Sequence, residues 1–341
     1  METIPLVSIG TTFRATDPDA QRAAVALGHA LRHVGFAYIA DHGVPQATLD
    51  AVFEASRAFH ESPMERKQAL GLNVFHRGYI GDSALRALAK NSNAQLPALN
   101  ASLMIMHELA PDDPDLLAGK PLQGPNQWPD WLPGFRPAVT AYTDAIDKVA
   151  RRLVQMIAVV LGLEQTALDA YFDKPTTFLR LLHYPSQPAD APANQFGFNP
   201  HTDFGVITLL AQRHSGLQVK PRGRDWIEAP PVEGTFVLNI GDMLARWTNG
   251  ILVSTPHRVL NRGNASRLSV PYFFDPNMDA VIDTLPGCAG ATNPSTEPPV
   301  RYGDYALGRI DRYGVRTAAA ATANSAETMS GRTRSEHASV S

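Results

Sequence analysis

Helical spacing of apolar residues marks three stretches in the first half of the chain. Over residues 17–33, Ala23, Ala24, Leu27, Ala30 and Leu31 recur at the intervals of one buried helix face. Over 46–60 the stripe is Leu49, Val52, Phe53 and Phe59. The clearest helix spans 139–161, where Ile146, Val149, Leu153, Met156, Ile157 and Val160 form a wide apolar face. Gly162 stands where such a helix stops. Strand patterns precede these helices at 5–9 and 35–40, the second ending in the turn-like Asp41-His42-Gly43. From 70 to 100 the periodicity weakens, as in the adaptable loops that border binding clefts. Five prolines within 121–137 predict an irregular segment.

After Lys174-Pro175 the period changes. Short apolar runs at 178–182, 205–211, 216–219, 236–240, 258–260 and 267–274 are separated by Gly, Pro, Asn or Asp. Many short strands at near-regular spacing predict a β-sandwich or barrel. No helical pattern intervenes, which argues against a doubly wound parallel sheet. Helical character returns at 302–313, and Ala, Ser, Thr, Arg and Glu dominate beyond 317. The chain thus reads as α+β with a mainly β core: a helix-and-strand region over 4–120, a β core with its supporting helix over 121–315, and a tail over 316–341 expected to be disordered.

The 341 residues are 44% hydrophobic and 18% charged, an ordinary globular composition. A net charge of −3 gives no general attraction to nucleic acid or an anionic membrane. Lys220-Pro221-Arg222-Gly223-Arg224, the most basic run, reads as a solvated turn. Cys288 is the sole cysteine, so an intramolecular disulfide and a thiolate metal cluster are both excluded. The chain starts without the basic-then-apolar pattern of a signal peptide and has no run of about 18 apolar residues. A cytoplasmic protein that spans no membrane is expected. Its chemistry must come from His, carboxylate and Arg.

One constellation supplies these groups. His201-Thr202-Asp203 stands at the mouth of a strand, where residues i and i+2 point to the same side. Alone, this pair equally suits a turn in which Asp203 caps amides. His257 follows Asp203 by 54 residues, at the start of another strand. Ten positions later, Arg267-Leu268-Ser269 puts a guanidinium and a hydroxyl on one strand face, followed by Val270, Pro271, Tyr272, Phe273 and Phe274. Such apolar company suggests burial, and a buried Arg needs an anionic partner.

Taken together, His-x-Asp, 54 residues, His, ten residues and Arg-x-Ser resemble the iron(II)- and 2-oxoglutarate-dependent oxygenases, in their isopenicillin N synthase-like branch. Other pieces fall in the same order: Ile4-Pro5-Leu6-Val7, Gly35-Phe36 through His42-Gly43-Val44, Arg77-Gly78-Tyr79, Gly124-Pro125-Asn126-Gln127-Trp128-Pro129 and Leu179-Arg180-Leu181-Leu182-His183-Tyr184-Pro185. The resemblance runs from about residue 4 to residue 313. It implies a double-stranded β-helix (jelly roll) flanked by N-terminal helices, with the 139–161 helix as support.

The resemblance also implies roles. His201, Asp203 and His257 would hold one Fe(II), with three coordination positions left for a 2-oxo acid and dioxygen. Arg267 and Ser269 would bind the distal carboxylate of 2-oxoglutarate, and Tyr184 would add a third hydrogen bond. No catalytic residue beyond the metal ligands is implied. The reaction would oxidise a C–H bond of a small organic substrate by hydroxylation, desaturation or cyclisation, releasing succinate and CO2. Phe273 and Asp275 sit on the strand end that lines the substrate pocket in this family. Arg77 is a candidate for a substrate carboxylate, and Arg86, Lys90, Asn91 and Asn93 are further polar groups nearby. Many plant members carry Asn where Leu182 stands, so one oxoglutarate hydrogen bond is expected to be missing or replaced.

Three other readings fit parts of the pattern. An oxidase of the same branch would draw electrons from its substrate and use no 2-oxoglutarate; retention of Tyr184, Arg267 and Ser269 favours the oxoglutarate users. A non-catalytic jelly roll that senses a small ligand would have little need for open iron positions. A zinc hydrolase would need a catalytic base beside the ligands, and none is evident in the sequence.

Overall fold

Two facing β-sheets, a small two-stranded sheet (Val281–Ile282 with Val300–Arg301) and a layer of helices make up the computed structural model, which describes residues 3–81, 96–188, 190–262 and 265–312. In chain order the strands are β1 (Leu6–Ser8), β2 (Phe36–Ala40), β3 (Gly78–Ile80), β4 (Ala101–Met106), β5 (Thr176–Tyr184) and β6 (Phe198–His201). They continue with β7 (Ile207–Gln212), β8 (Leu217–Val219), β9 (Ile227–Glu228), β10 (Phe236–Ile240), β11 (His257–Val259) and β12 (Arg267–Asp275). The larger sheet has the order β1-β2-β10-β7-β12-β5-β4-β3, and the smaller β6-β11-β8-β9. Every pairing among them is antiparallel except β1 with β2. The fold is the jelly roll expected from the sequence. Its strands β1 to β4 are hydrogen-bonded into the same large sheet as the strands of the β core.

The helices are α1 (Pro18–His33), α2 (Gln46–Glu61), α3 (Met64–Ala69), α4 (Pro114–Leu117), α5 (Phe135–Val160), α6 (Asp242–Trp247) and α7 (Tyr302–Arg312). Asp17 caps α1 by accepting a hydrogen bond from the Asp19 amide, and Pro18 opens its first turn. Gly35 follows with φ +71, and a Cβ there would lie 2.2 Å from the Val253 carbonyl oxygen. Only glycine turns the chain from α1 into β2 at that point.

Strand alternation separates two environments. On β12, Val270, Tyr272 and Phe274 join the main core beneath α5, together with Ile146, Val149 and Leu153. The alternate residues, including Arg267 and Ser269, face the other way. Between the sheets lies a second apolar cluster containing Phe36, Leu182, Tyr184, Val219, Val237 and Val259. Met104, Met106 and Phe178 form a third, with Phe204 and Phe273 packed against it.

Some boundaries differ from the sequence reading. The long helix begins at Phe135 instead of 139. Pro137 falls in its first turn, where a missing N–H leaves no intrahelical bond unmade. Strands β3 and β4 and helix α6 were not visible as patterns. The residues beyond 315, and Arg86, Lys90, Asn91 and Asn93, lie outside the described residues. Among the described residues, no helix is long and apolar enough to cross a membrane.

Candidate active site

Strand pairing assembles the triad. His201 ends β6, His257 begins β11, and the two stand directly opposite each other in the antiparallel ladder. Their ring centres are 4.2 Å apart. Asp203 lies in the turn into β7, with Oδ1 3.6 Å from His201 Nε2 and 3.7 Å from His257 Nε2. One ligand atom from each residue falls within 4.8 Å of the others.

Surrounding groups fix how each member faces the common point. His201 Nδ1 is 2.8 Å from the Asn199 carbonyl oxygen, and His257 Nδ1 is 3.3 Å from that of Thr255. A carbonyl only accepts, so each ring donates from Nδ1 and turns Nε2 toward the common point. Asp203 Oδ2 accepts hydrogen bonds of 2.7 Å from both the Thr208 hydroxyl and the Asn239 amide. Oδ1 is left to face the imidazoles.

Charge follows the same logic. Burial pulls the His257 pKa down to about 4, reinforced by His201 and opposed by Asp203. Burial raises that of Asp203, but His257, His201 and the Thr208 hydrogen bond outweigh it and hold the carboxyl well below its usual range. A neutral His257 imidazole beside an ionised Asp203 carboxylate matches the protonation states that metal ligation requires. Two nitrogens and one oxygen on one face, with no thiolate, suit a ferrous ion that keeps open positions.

The turn carrying Asp203 is anchored from below. Asp275 Oδ1 accepts a 2.5 Å hydrogen bond from the Val206 amide. A Cβ on Gly205 would sit 2.2 Å from that same oxygen, so the approach needs glycine. Desolvation pushes the Asp275 pKa up to about 7. The Val206 hydrogen bond ties the turn to β12 through Asp275, which does not stand free in a pocket, while Phe273 packs near Phe204 and Phe178.

Arg267 and Ser269 are both buried beside the triad-bearing sheet. Arg267 donates to the His214 carbonyl at 3.3 Å and to Gln212 Oε1 at 3.1 Å, and its Cζ lies 4.8 Å from the centre of the Tyr184 ring. Arg267 Nη1 and Ser269 Oγ have no hydrogen-bond partner among the described residues. Register sets Tyr184 opposite Arg267 and Leu182 opposite Ser269. Two orphaned donors behind an iron-type triad fit the carboxylate of a 2-oxo acid.

Arg77 is placed differently from expectation. Its guanidinium donates to the backbone carbonyls of Phe75, Leu122 and His107 at 2.8, 2.6 and 2.9 Å. These bonds tie it to the backbone, and its Nε has no hydrogen-bond partner among the described residues. Conversely, sequence reasoning missed Thr208 and Asn239. Each is a polar residue inside an apolar strand run, which was the available signal.

Comparison with known proteins agrees with this geometry. The family model described as 2OG-Fe(II) oxygenase superfamily matches residues 175–276. A second, described as non-haem dioxygenase in morphine synthesis N-terminal, matches residues 4–131. The 2-oxoglutarate-Fe(II) type oxidoreductase hxnY of Emericella nidulans is 33% identical, over 96% of this chain and 97% of that relative. Homoarginine-6-hydroxylase 2-ODD-C23 of Glycine max is 32% identical, over 87% and 90%. A full-length Neurospora crassa protein, crystallised in complex with alpha-KG, superposes with a TM-score of 0.78 at 30% identity, covering 90% of this chain and 96% of that one. The chain belongs to the 2-oxoglutarate- and iron(II)-dependent oxygenase superfamily. It is a dioxygenase, an oxidoreductase that uses Fe(II) with 2-oxoglutarate.

Proposed function

We propose that His201, Asp203 and His257 hold the iron, and that Arg267, Ser269 and Tyr184 hold 2-oxoglutarate. The observation that carries this assignment is the unpartnered pair Arg267 Nη1 and Ser269 Oγ, buried behind the convergent triad. Fe(II) with 2-oxoglutarate supplies dioxygen activation coupled to release of succinate and CO2. The chain's own residues do the positioning. Asn199 and Thr255 set the imidazole tautomers, and Thr208 and Asn239 orient Asp203. Arg267 neutralises the distal carboxylate, and Ser269 donates to it. Leu182 offers that carboxylate no hydrogen bond, so the Asn contact of many plant members is absent.

The substrate is a small organic molecule that presents a C–H bond to the metal, for hydroxylation, desaturation or cyclisation. Phe273, with Phe178 and Phe204, forms the apolar wall it meets. We place the enzyme in the isopenicillin N synthase-like branch. A cytosolic location is supported by the single, buried Cys288. Anaerobic addition of Fe(II) and 2-oxoglutarate should produce a weak visible charge-transfer band that His257→Ala abolishes. Persistence of the band in that variant would remove His257 from the ligand set.

A further inference from the structure

Two guanidiniums on the inner faces of the sheets have no carboxylate partner among the described residues. One is Arg267, which the proposed function assigns to 2-oxoglutarate. The other is Arg180, on β5, four residues before Tyr184 on the same strand face. Its Nη2 donates to the Ser102 hydroxyl at 2.9 Å. Its Nε is shut off from solvent and has no hydrogen-bond partner among the described residues. Removing a guanidinium from water without an anion is costly; Arg77 is compensated by three backbone carbonyls, whereas Arg180 has only the Ser102 hydroxyl and so has capacity for a further acceptor.

The surroundings show where that acceptor sits. Arg180 Cζ stacks 5.5 Å from the centre of the Phe198 ring, and Phe198 lies 4.5 Å from the His201 imidazole. One aromatic ring thus separates the guanidinium from the metal triad, and Arg180 is close enough to feel the charge of Asp203. Asp203 is not its partner, because one oxygen serves Thr208 and Asn239 and the other faces the imidazoles. Around it the wall is apolar: Met104 and Phe178 belong to one buried cluster, with Phe204 packed edge-on to Phe178 at 6.3 Å.

Resting on the iron and 2-oxoglutarate assignment, we infer that Arg180 is a specificity-determining residue that binds the carboxylate of the substrate. The substrate is then a small carboxylic acid with an apolar body. Its carboxylate bonds to Arg180 Nε, with the Ser102 hydroxyl in reach as a second donor, and its hydrocarbon part lies along Phe198 and Phe178 toward the metal. The competing acceptor for Arg180 is the second carboxylate of 2-oxoglutarate itself, and the test separates the two.

The probes are benzoate, phenylacetate and hexanoate, each paired with its primary amide, together with thymine as a neutral ring. Binding is read anaerobically as a shift of the charge-transfer band of the Fe(II)- and 2-oxoglutarate-loaded enzyme. At least one acid should shift the band at a concentration tenfold below its amide. Arg180→Gln should weaken that acid by more than tenfold, and Arg180→Lys, which keeps the charge, should recover part of the loss. The 2-oxoglutarate Kd should stay within twofold in Arg180→Gln, against a rise of more than tenfold in Arg267→Gln. The inference is overturned if an amide or thymine binds the unmodified enzyme as tightly as the acids, or if no acid shifts the band. It is equally overturned if Arg180→Gln loses 2-oxoglutarate as Arg267→Gln does. Absence of the band in the unmodified enzyme would instead overturn the iron and 2-oxoglutarate assignment.

Discussion

Asp203 uses its two oxygens differently, and that division suggests the first experiment. Oδ2 is held by Thr208 and Asn239 while Oδ1 faces the imidazoles. Thr208→Val keeps the side-chain shape but removes one of the two donors. Loss of such an outer contact typically costs 10- to 100-fold in metal affinity, and a fall of about that size is expected in an Fe(II) competition titration against a chromophoric chelator. Unchanged affinity would mean that Asp203 needs no orienting. Arg267→Gln separates the other half of the site. It leaves the iron ligands alone but removes a charge-assisted contact, typically about 1.5–3 kcal/mol. 2-Oxoglutarate binding should weaken by one to two orders of magnitude with Fe(II) affinity preserved.

At the scale of elements, the turn from Asp203 into β7 depends on its fit against β12. Gly205→Ala would drive a methyl into the Asp275 carboxylate, which holds the Val206 amide. Overpacking of this kind costs about 1–3 kcal/mol, so a lower melting temperature together with weaker Fe(II) binding is expected. A variant with lower stability but unaltered iron affinity would uncouple the turn from the site. A second contact between elements responds to pH. On α2, His60 sets Nε2 2.9 Å from the Leu181 carbonyl of β5 and stacks on His183. Burial pulls its pKa down to about 3, helped by His183 and Lys67 and opposed by the Leu181 carbonyl. Because the folded value lies below the unfolded one near 6.5, this group's contribution is complete above that pH and is lost as pH falls toward 3. His60→Gln retains a donor for Leu181 but does not titrate. Its melting temperature should fall less than that of the unmodified protein between pH 7 and pH 4. Parallel curves would show that His60 does not set the acid response.

Across the whole molecule, what was legible in the sequence depended on period and spacing. The stripes of α1, α2 and α5 and the short strands of the β core are one-face patterns, and they appear where expected. Strand β4, Ala-Ser-Leu-Met-Ile-Met, is buried on both faces and so lacks alternation. Helix α6, with six residues, is too short for a helical period to emerge. His201 and Asp203 stand two residues apart and read as one strand side, although Asp203 lies in the turn beyond β6; the convergence of His257 required the pairing of β6 with β11, which only the family spacing hinted at. Thr208, Asn239 and Arg180 acquire meaning solely through cross-strand neighbours. Arg77 illustrates the opposite limit: nothing local distinguishes an arginine that offers itself to a ligand from one that ties three carbonyls together. On the proposed assignment, the jelly roll holds one metal ion and one oxo acid between β6, β11 and β12. Anomalous diffraction from crystals grown anaerobically with Mn(II) and 2-oxoglutarate tests it most directly. A single strong manganese peak bonded to His201 Nε2, Asp203 Oδ1 and His257 Nε2 is expected, with the distal carboxylate of the oxo acid on Arg267 and Ser269. A peak lacking any of the three ligands, or an oxo acid bound away from Arg267, would contradict it.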